Sequence, residues 1–314
     1  MKKYKLVLFV LLICLSGYSQ VGIGTETPDE SCVLDLTSTT QGFLPPRMGY
    51  QDMVGILTPA EGLHVYCTDC DPKGLYFYDG SSFLSVISGS VLLDPTTFVY
   101  SSTGKYWMDR NLGAQQVATA YNDHLSYGDF YQWGRDSDGH QTIVWTSSTT
   151  SDGTEQSNEI ETLATTTVPD DGNAWNGKFI TNAPTPFNWL VTLDVTLWQG
   201  VSGTNNPCPS GYRIPTAAEF LAESNNGGTD YWGNGEQNDE GAYNSVLKLP
   251  YPGMRDLEYG EILEAGNIGV YWTSTYNSSG SFVGADTMQV FPLDDSGVFH
   301  MELSYGLSVR CIKD

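Results

Sequence analysis

An α+β protein is predicted by this chain: a loop-rich C-terminal domain with a short twisted antiparallel sheet and two helices, preceded by a small module built mainly of β-strands. Three observations point to it. All eight tryptophans lie at or after Trp107, while the first hundred residues are rich in Val, Leu, Thr, Gly and Pro, so the 314 residues divide into two modules of different texture. Short apolar runs separated by Gly, Pro, Asn and Asp mark strands and turns in both. Two helix starts carry capping side chains, Asp123 ahead of His124 and Thr216 ahead of Ala217.

Residues 1–19 read as a secretory signal peptide: Lys2, Lys3 and Lys5 precede the apolar run Leu6 to Leu15, and Gly17 and Ser19 suit the small-residue positions of a cleavage site before Gln20. That run is too short to span a bilayer, and Gly and Pro interrupt every later one, so no transmembrane span is expected in the mature chain. Export places the protein outside the cell or on its surface, with the periplasm as the alternative, and in oxidising surroundings. A lipid-acceptor role for Cys14 would need a small residue where Ile13 stands, so lipoprotein processing is not expected. Loss of the three lysines takes the 14 basic residues down to 11 against 37 acidic, a formal charge near −26. Acidity of this size argues against nucleic acid or an anionic membrane surface as partner, and it helps keep an exported chain soluble.

The first module, residues 20–90, reads as strands in V-L-D-L-T-S, G-L-H-V-Y and G-L-Y-F-Y-D-G-S-S-F, with Asp79-Gly80 as a hairpin turn between aromatic-rich runs and little helix. Five cysteines follow the leader: Cys32, Cys67, Cys70, Cys208 and Cys311. An odd number leaves one free or intermolecular. A Cys67–Cys70 disulfide would fix the turn between two strands; no βαβ pattern supports a redox motif there, and no second Cys pair or nearby His supports zinc. Cys32, in an alternating apolar run, reads as a buried small hydrophobe, although mixed pairings through it stay open. If Cys208 and Cys311 pair, the closed loop is worth about 4 to 5 kcal/mol in the chain-entropy model.

V-G-I-G-T-E-T-P (Val21 to Pro28), C-V-L-D-L-T-S-T-T-Q-G-F-L-P-P-R-M (Cys32 to Met48) and P-A-E-G-L-H-V-Y (Pro59 to Tyr66), followed by Y-F-Y-D-G, resemble a module of bacterial surface proteins and phage-like fibres. The resemblance implies a stalk or assembly segment ahead of a variable head, with homotrimer or fibre assembly as its frequent context. Strands this short expose edges that must be paired, covered or blunted.

The second module, residues 91–314, opens with T-F-V-Y-S-S-T-G-K-Y-W-M-D, two strands around a Ser-Thr-Gly turn. Leu125, Phe130 and Trp133 fall at helical spacing behind Asp123 and predict the first helix. From Thr142 to Gly203 the chain lacks periodicity, yet Trp145, Trp175, Trp189 and Trp198 are too many for disorder and predict long ordered loops. Thr216 and Glu219 form a capping box for the second helix, with Phe220 and Leu221 facing inward. L-K-L-P-Y-P-G-M-R-D, V-Y-W-T-S-T-Y, T-M-Q-V-F-P and L-S-V-R-C-I-K read as four strands of one antiparallel sheet.

W-M-D-R-N-L-G-A (Trp107 to Ala114), Y-G-D-F-Y-Q-W-G-R (Tyr127 to Arg135), D-G-H-Q (Asp138 to Gln141), P-C-P-S-G-Y-R-I-P-T (Pro207 to Thr216), L-K-L-P-Y-P-G-M-R (Leu247 to Arg255), Y-W-T-S-T (Tyr271 to Thr275) and S-V-R-C-I-K-D (Ser308 to Asp314) occur in this order. Together they resemble the Fibrobacter succinogenes major paralogous domain, a family allied to C-type-lectin-like and formylglycine-generating-enzyme-like domains. The resemblance implies a C-type-lectin-like domain whose terminal strand is tied back by a disulfide, with Cys208 as the partner of Cys311. It also implies an exported recognition or adhesion protein whose head binds a glycan or protein ligand through loops. Two alternatives stand beside it, an enzyme of the formylglycine-generating-like superfamily and a structural fibre or envelope component.

Catalysis is not expected. The allied enzymes use a cysteine pair as a copper site, whereas Cys208 and Cys311 take structural places; His64, His124, His140 and His300 have no ligand spacing, and no G-x-S-x-G elbow or P-loop occurs. No cofactor is expected either. Asp136 and Asp138, in Arg135-Asp136-Ser137-Asp138-Gly139, are the candidates for calcium, but the remaining ligands of an EF-hand are missing and a tight solvated turn is the simpler reading. For ligand binding, Tyr231, Trp232 and Asn234 lie in G-G-T-D-Y-W-G-N-G, where adjacent aromatics between glycines suit stacking on a sugar or a protein loop. Tyr276, Asn277, Asp294 and Asp295 are the other candidates, on loops expected between the terminal strands.

Overall fold

The computed structural model describes residues 20–314 except 71–72, 87–96, 149–157, 171, 210, 226–231, 233–235, 237–238, 280–281 and 292–295. The leader read at 1–19 and the candidate residues Tyr231, Asn234, Asp294 and Asp295 lie outside the described residues.

Two short strands, β1 (Val21–Ile23) and β2 (Leu34–Leu36), pair in parallel. Strand β3 (Arg47–Met48) and helix α1 (Tyr50–Val54) follow, then β4 (His64–Cys67), β5 (Gly74–Tyr78) and β6 (Phe83–Ser85). The last three pair antiparallel in sequence order, with β3 parallel to β4 at the other edge. Alternation places Val65, Cys67, Tyr76 and Phe83 on one face, where Met53 of α1 completes a small core. The Cys67–Cys70 disulfide spans the β4–β5 turn, Cα atoms 5.6 Å apart. At the β5–β6 turn Gly80 takes a left-handed φ of 100°, and the Asp79 carboxylate accepts from the Ser81 and Ser82 N–H groups.

The rest of the chain holds β7 (Phe98–Tyr100), β8 (Tyr106–Met108), β9 (Tyr131–Gln132), β10 (Glu159–Ile160), β11 (Phe179–Ile180) and β12 (Tyr212–Arg213). Helices α2 (Ala217–Asn225) and α3 (Asp239–Asn244) come next. Strands β13 (Met254–Arg255), β14 (Ile262–Leu263), β15 (Gly269–Ser279), β16 (Phe282–Val290), β17 (Gly297–Glu302), β18 (Gly306–Leu307) and β19 (Ile312–Lys313) complete the order.

The expected α+β lectin-like architecture with two helices is overturned. Strands predominate, and among the described residues they are spread over six small sheets with only short helices. The first expected helix is a single 3-10 turn, His124–Ser126, capped by Asp123, whose carboxylate accepts from Leu125 N–H at 3.2 Å. Gly128 and Gly134, at φ 75° and 82°, turn the chain out of helix on either side of β9. The capping box forms, with Thr216 N–H to Glu219 at 2.8 Å and Glu219 N–H to Thr216 Oγ1 at 3.2 Å, and Phe220 is buried; Leu221 instead points to solvent. Nor do the C-terminal strands form one sheet. β15–β16–β17 is a separate antiparallel sheet, β13 joins β14, β18 and β9, and β19 lies between β12 and β8.

What holds so many small sheets together is indole. Seven of the eight tryptophans are buried, five of them, Trp133, Trp175, Trp189, Trp198 and Trp272, in the largest core. Trp133 donates to the Thr273 carbonyl at 2.9 Å while Trp272 donates back to the Tyr131 carbonyl at 2.6 Å. Each ring buries a large apolar area, and the N–H groups of Trp133, Trp189 and Trp272 satisfy backbone acceptors that short strands leave unpaired. At the C-terminus Ile312 pairs with both Arg213 and Trp107. The adjacent Cys311 is bonded to Cys208, Cα atoms 5.9 Å apart across a sequence separation of 103.

Candidate assembly surface

Of the two adjacent aromatics expected to meet a ligand, the described one is buried. Trp232 is 2 % exposed and packs with Trp107, Phe220, Leu247 and Tyr271. Residues Tyr276 and Asn277, expected on a loop, belong to β15. Tyr276 is half-buried, its ring 6.2 Å from that of Trp133, and Asn277 Nδ2 donates to Asp286 Oδ1 at 2.7 Å beside His300, whose Nδ1 meets the same oxygen at 2.7 Å. A sheet register explains both: V-Y-W-T-S-T-Y continues through a bulge between Trp272 and Tyr276, so polar residues follow the strand to its exposed end.

The cation candidates are likewise engaged. Asp136 accepts from Ser137 N–H, and the buried Asp138 carboxylate accepts from Arg135 Nη2 at 2.6 Å and Nε at 3.2 Å and from His140 Nδ1 at 2.6 Å and N–H at 3.0 Å. Four donors leave Asp138 no free lone pair for calcium. Arg135 also donates to Gln132 Oε1 and to the Lys178 and Trp175 carbonyls, and its guanidinium lies 5.2 Å and 5.5 Å from the Trp175 and Trp189 rings. Sequence reading placed Arg135-Asp136-Ser137-Asp138 in a solvated turn; burial makes it a brace between loops.

His140 is held neutral there, since Nε2 accepts the Gln132 N–H at 3.2 Å while Nδ1 donates to Asp138. Burial and the Arg135 charge push it down from 6.5 to about 3. Burial opposes ionisation of Asp138, yet the His140 and Arg135 contacts hold its carboxyl well below the ordinary range. Asp129 goes the other way, pushed up by burial from 3.8 to about 6. Between about pH 6.5 and 3 the unfolded chain binds a proton at His140 that the folded chain refuses, so stability falls with pH by up to about 1.4 kcal/mol per unit. Between about pH 6 and 3.8 Asp129 contributes the opposite slope. Urea unfolding is therefore expected to show a nearly flat stability across the overlap in the wild type and a fall of about 1 kcal/mol per unit in Asp129→Asn; parallel curves for the two proteins would refute the assignment.

The N-terminal residues differ from all this in having no cover among the described residues. In the parallel β1–β2 register Val21 faces Leu34 and Ile23 faces Leu36, so four aliphatic side chains share one face. All four are 44–59 % exposed. Parallel pairs are ordinarily covered on both sides, and a two-stranded ribbon alone is marginal in water. Val33, Phe43, Leu44, Val54 and Leu57 are exposed as well, so nine large apolar side chains lie open between residues 21 and 57. Ile23, Leu36, Phe43 and Leu44 line a cleft of about 640 Å³ between the ribbon and the following arm. Cys32, expected to be buried in a strand, is free and half-buried in the turn before β2, its Sγ 3.2 Å from the Asp29 carbonyl. The sequence signal for this surface, apolar residues two apart in V-G-I and L-D-L, reads equally well as an ordinary buried face.

Residues 22–105 match the family described as phage tail like trimerisation region. The match takes in the whole uncovered surface except Val21, and it ends inside the β7–β8 hairpin. Neither the Fibrobacter succinogenes paralogous family nor a lectin-like fold is found. No curated protein and no solved structure is significantly similar to the chain. Among the described residues no helix is long and apolar enough to cross a membrane.

Proposed function

We propose that the protein is an exported, non-catalytic structural component of a fibre or cell envelope, a homotrimer assembled through residues 22–105 that carries the tryptophan-rich remainder as its head. The observation that carries this reading is a coincidence of position: the stretch that matches a trimerisation region is the stretch that leaves its apolar side chains uncovered in a single chain. Burying them between identical copies removes that area from water at roughly 25 cal/mol per Å² and covers the strand edges at the same time. Assembly is preferred to glycan or protein recognition by the head because Trp232 is core, and Asn277 is bonded within the sheet.

Light scattering on the chain from Gln20 onward, eluted at micromolar concentration, is expected to give three times the mass of one chain. A monomer under those conditions would defeat the proposal.

A further inference from the structure

The uncovered ribbon and the arm that follows it form one continuous surface. Ser38 Oγ accepts from the Thr40 and Gln41 N–H groups at 3.2 Å and 2.9 Å and turns the chain away from the ribbon. Every residue from Leu36 to Leu44 is exposed, and Phe43 and Leu44 stand about two-thirds open. The root of the arm is nevertheless fixed. Pro45 and Pro46 stiffen it, and the Pro46 carbonyl accepts the Tyr66 N–H at 2.9 Å, tying it to the β3–β4 edge. An arm that is rigid at its base and apolar at its tip is preorganised for a contact that no described residue of the chain makes.

Charge points to what makes that contact. The cleft between ribbon and arm is lined by Ile23, Leu36, Phe43 and Leu44 with glycines, Thr37, Ser38 and Gln41, and by no charged side chain. On a chain with 37 acidic and 14 basic residues, identical copies repel over most of their surface. They approach best where charge is absent, whereas a basic partner would gain nothing from a neutral cleft. The match of residues 22–105 to a trimerisation region sets the occupant as the same surface of further copies.

We infer that the aliphatic face Val21, Ile23, Leu34 and Leu36 and the Phe43–Leu44 arm form the seam of the trimer, each arm closing over the ribbon of the next copy around a three-fold axis. This rests on the assembly proposal and deepens it: heterologous contacts of this kind close into a ring of three rather than an open filament when the rotation is 120°. The hydrophobic centre is then shared, and no single chain has the ribbon's core to itself.

The test compares Ile23→Asp with Leu36→Asp in one chain, and Val168→Ser as a control at a 60 % exposed position outside both the cleft and residues 22–105. Light scattering reads the mass, and tryptophan emission reads the head independently, since every tryptophan lies at or beyond Trp107. A threefold drop in mass for the double variant, with unchanged emission and a trimeric control, is the expected result. A double variant that keeps the trimeric mass overturns the seam and leaves assembly standing through another surface. A control that also dissociates overturns the seam's specificity, and a monomeric wild type removes the assembly proposal together with the seam. As a second reading that does not depend on tolerance of aspartate, Leu36→Cys with Cys32→Ser leaves one free thiol per chain and is expected to give covalent dimers with a short bis-maleimide. Their absence in a sample of trimeric mass refutes the seam.

Discussion

Serine at both Cys208 and Cys311 is expected to lower folding stability by about 4 to 5 kcal/mol, the largest effect of any conservative change in the chain. The bond joins positions 103 apart and closes nearly the whole second half of the domain into one loop, so its removal gives the unfolded chain the most new freedom. The native side matters as well. Cys311 is fully buried in the large core, and the next residue, Ile312, holds β19 between β12 and β8. With the staple gone, a two-residue strand must keep its place by two pairings alone. Urea unfolding of the double serine variant is the measurement, with the tryptophans as probe. A midpoint equal to that of the wild type would show that the tryptophan core and not the bond sets the stability.

Arg135→Met is expected to cost about 3 to 5 kcal/mol, because it strands a buried carboxylate rather than because a salt bridge is strong. Asp138 would keep only its His140 donors, Gln132 Oε1 and the Trp175 carbonyl would each fall back on one donor, the Ile180 and Lys178 N–H groups, and the Lys178 carbonyl would lose its Arg135 donor. Methionine fills much of the volume between the Trp175 and Trp189 rings, so the loss reports the unpaired polar groups more than a cavity. Adding Asp138→Leu to Arg135→Met should restore part of the stability, and a double-mutant cycle should return a coupling of at least about 1 kcal/mol. Additive losses would mean that the two side chains act independently and that the brace has been misread.

Both effects fall on residues the sequence already singled out, with unequal success. Thr216 and Glu219 identified α2 correctly because a capping box is satisfied within four residues, whatever the rest of the chain does. The Asp79-Gly80 hairpin is local in the same way. Leu125, Phe130 and Trp133 misled, since helical spacing is a weak signal beside two glycines at positive φ, and Phe130 and Trp133 are buried by turns and the β9 edge instead while Leu125 is only half-buried. The exposure expected of Trp232 is not found for a related reason: flanking glycines describe the backbone, not the side chain, which Gly241 and the core around Trp107 receive.

Cysteine number, the tryptophan-free first hundred residues and the order of turns were set by the sequence alone, because each depends on neighbours along the chain. Which sheet a strand joins was not, and the four C-terminal segments entered three sheets because indole N–H groups and the Cys208–Cys311 bond reach across the fold to positions more than a hundred residues away. The same holds for the ribbon at Val21 to Leu36. Alternation shows that one face is apolar, but only the register of β1 on β2 puts four aliphatic side chains together, and only the surrounding space shows that no described residue of the same chain covers them.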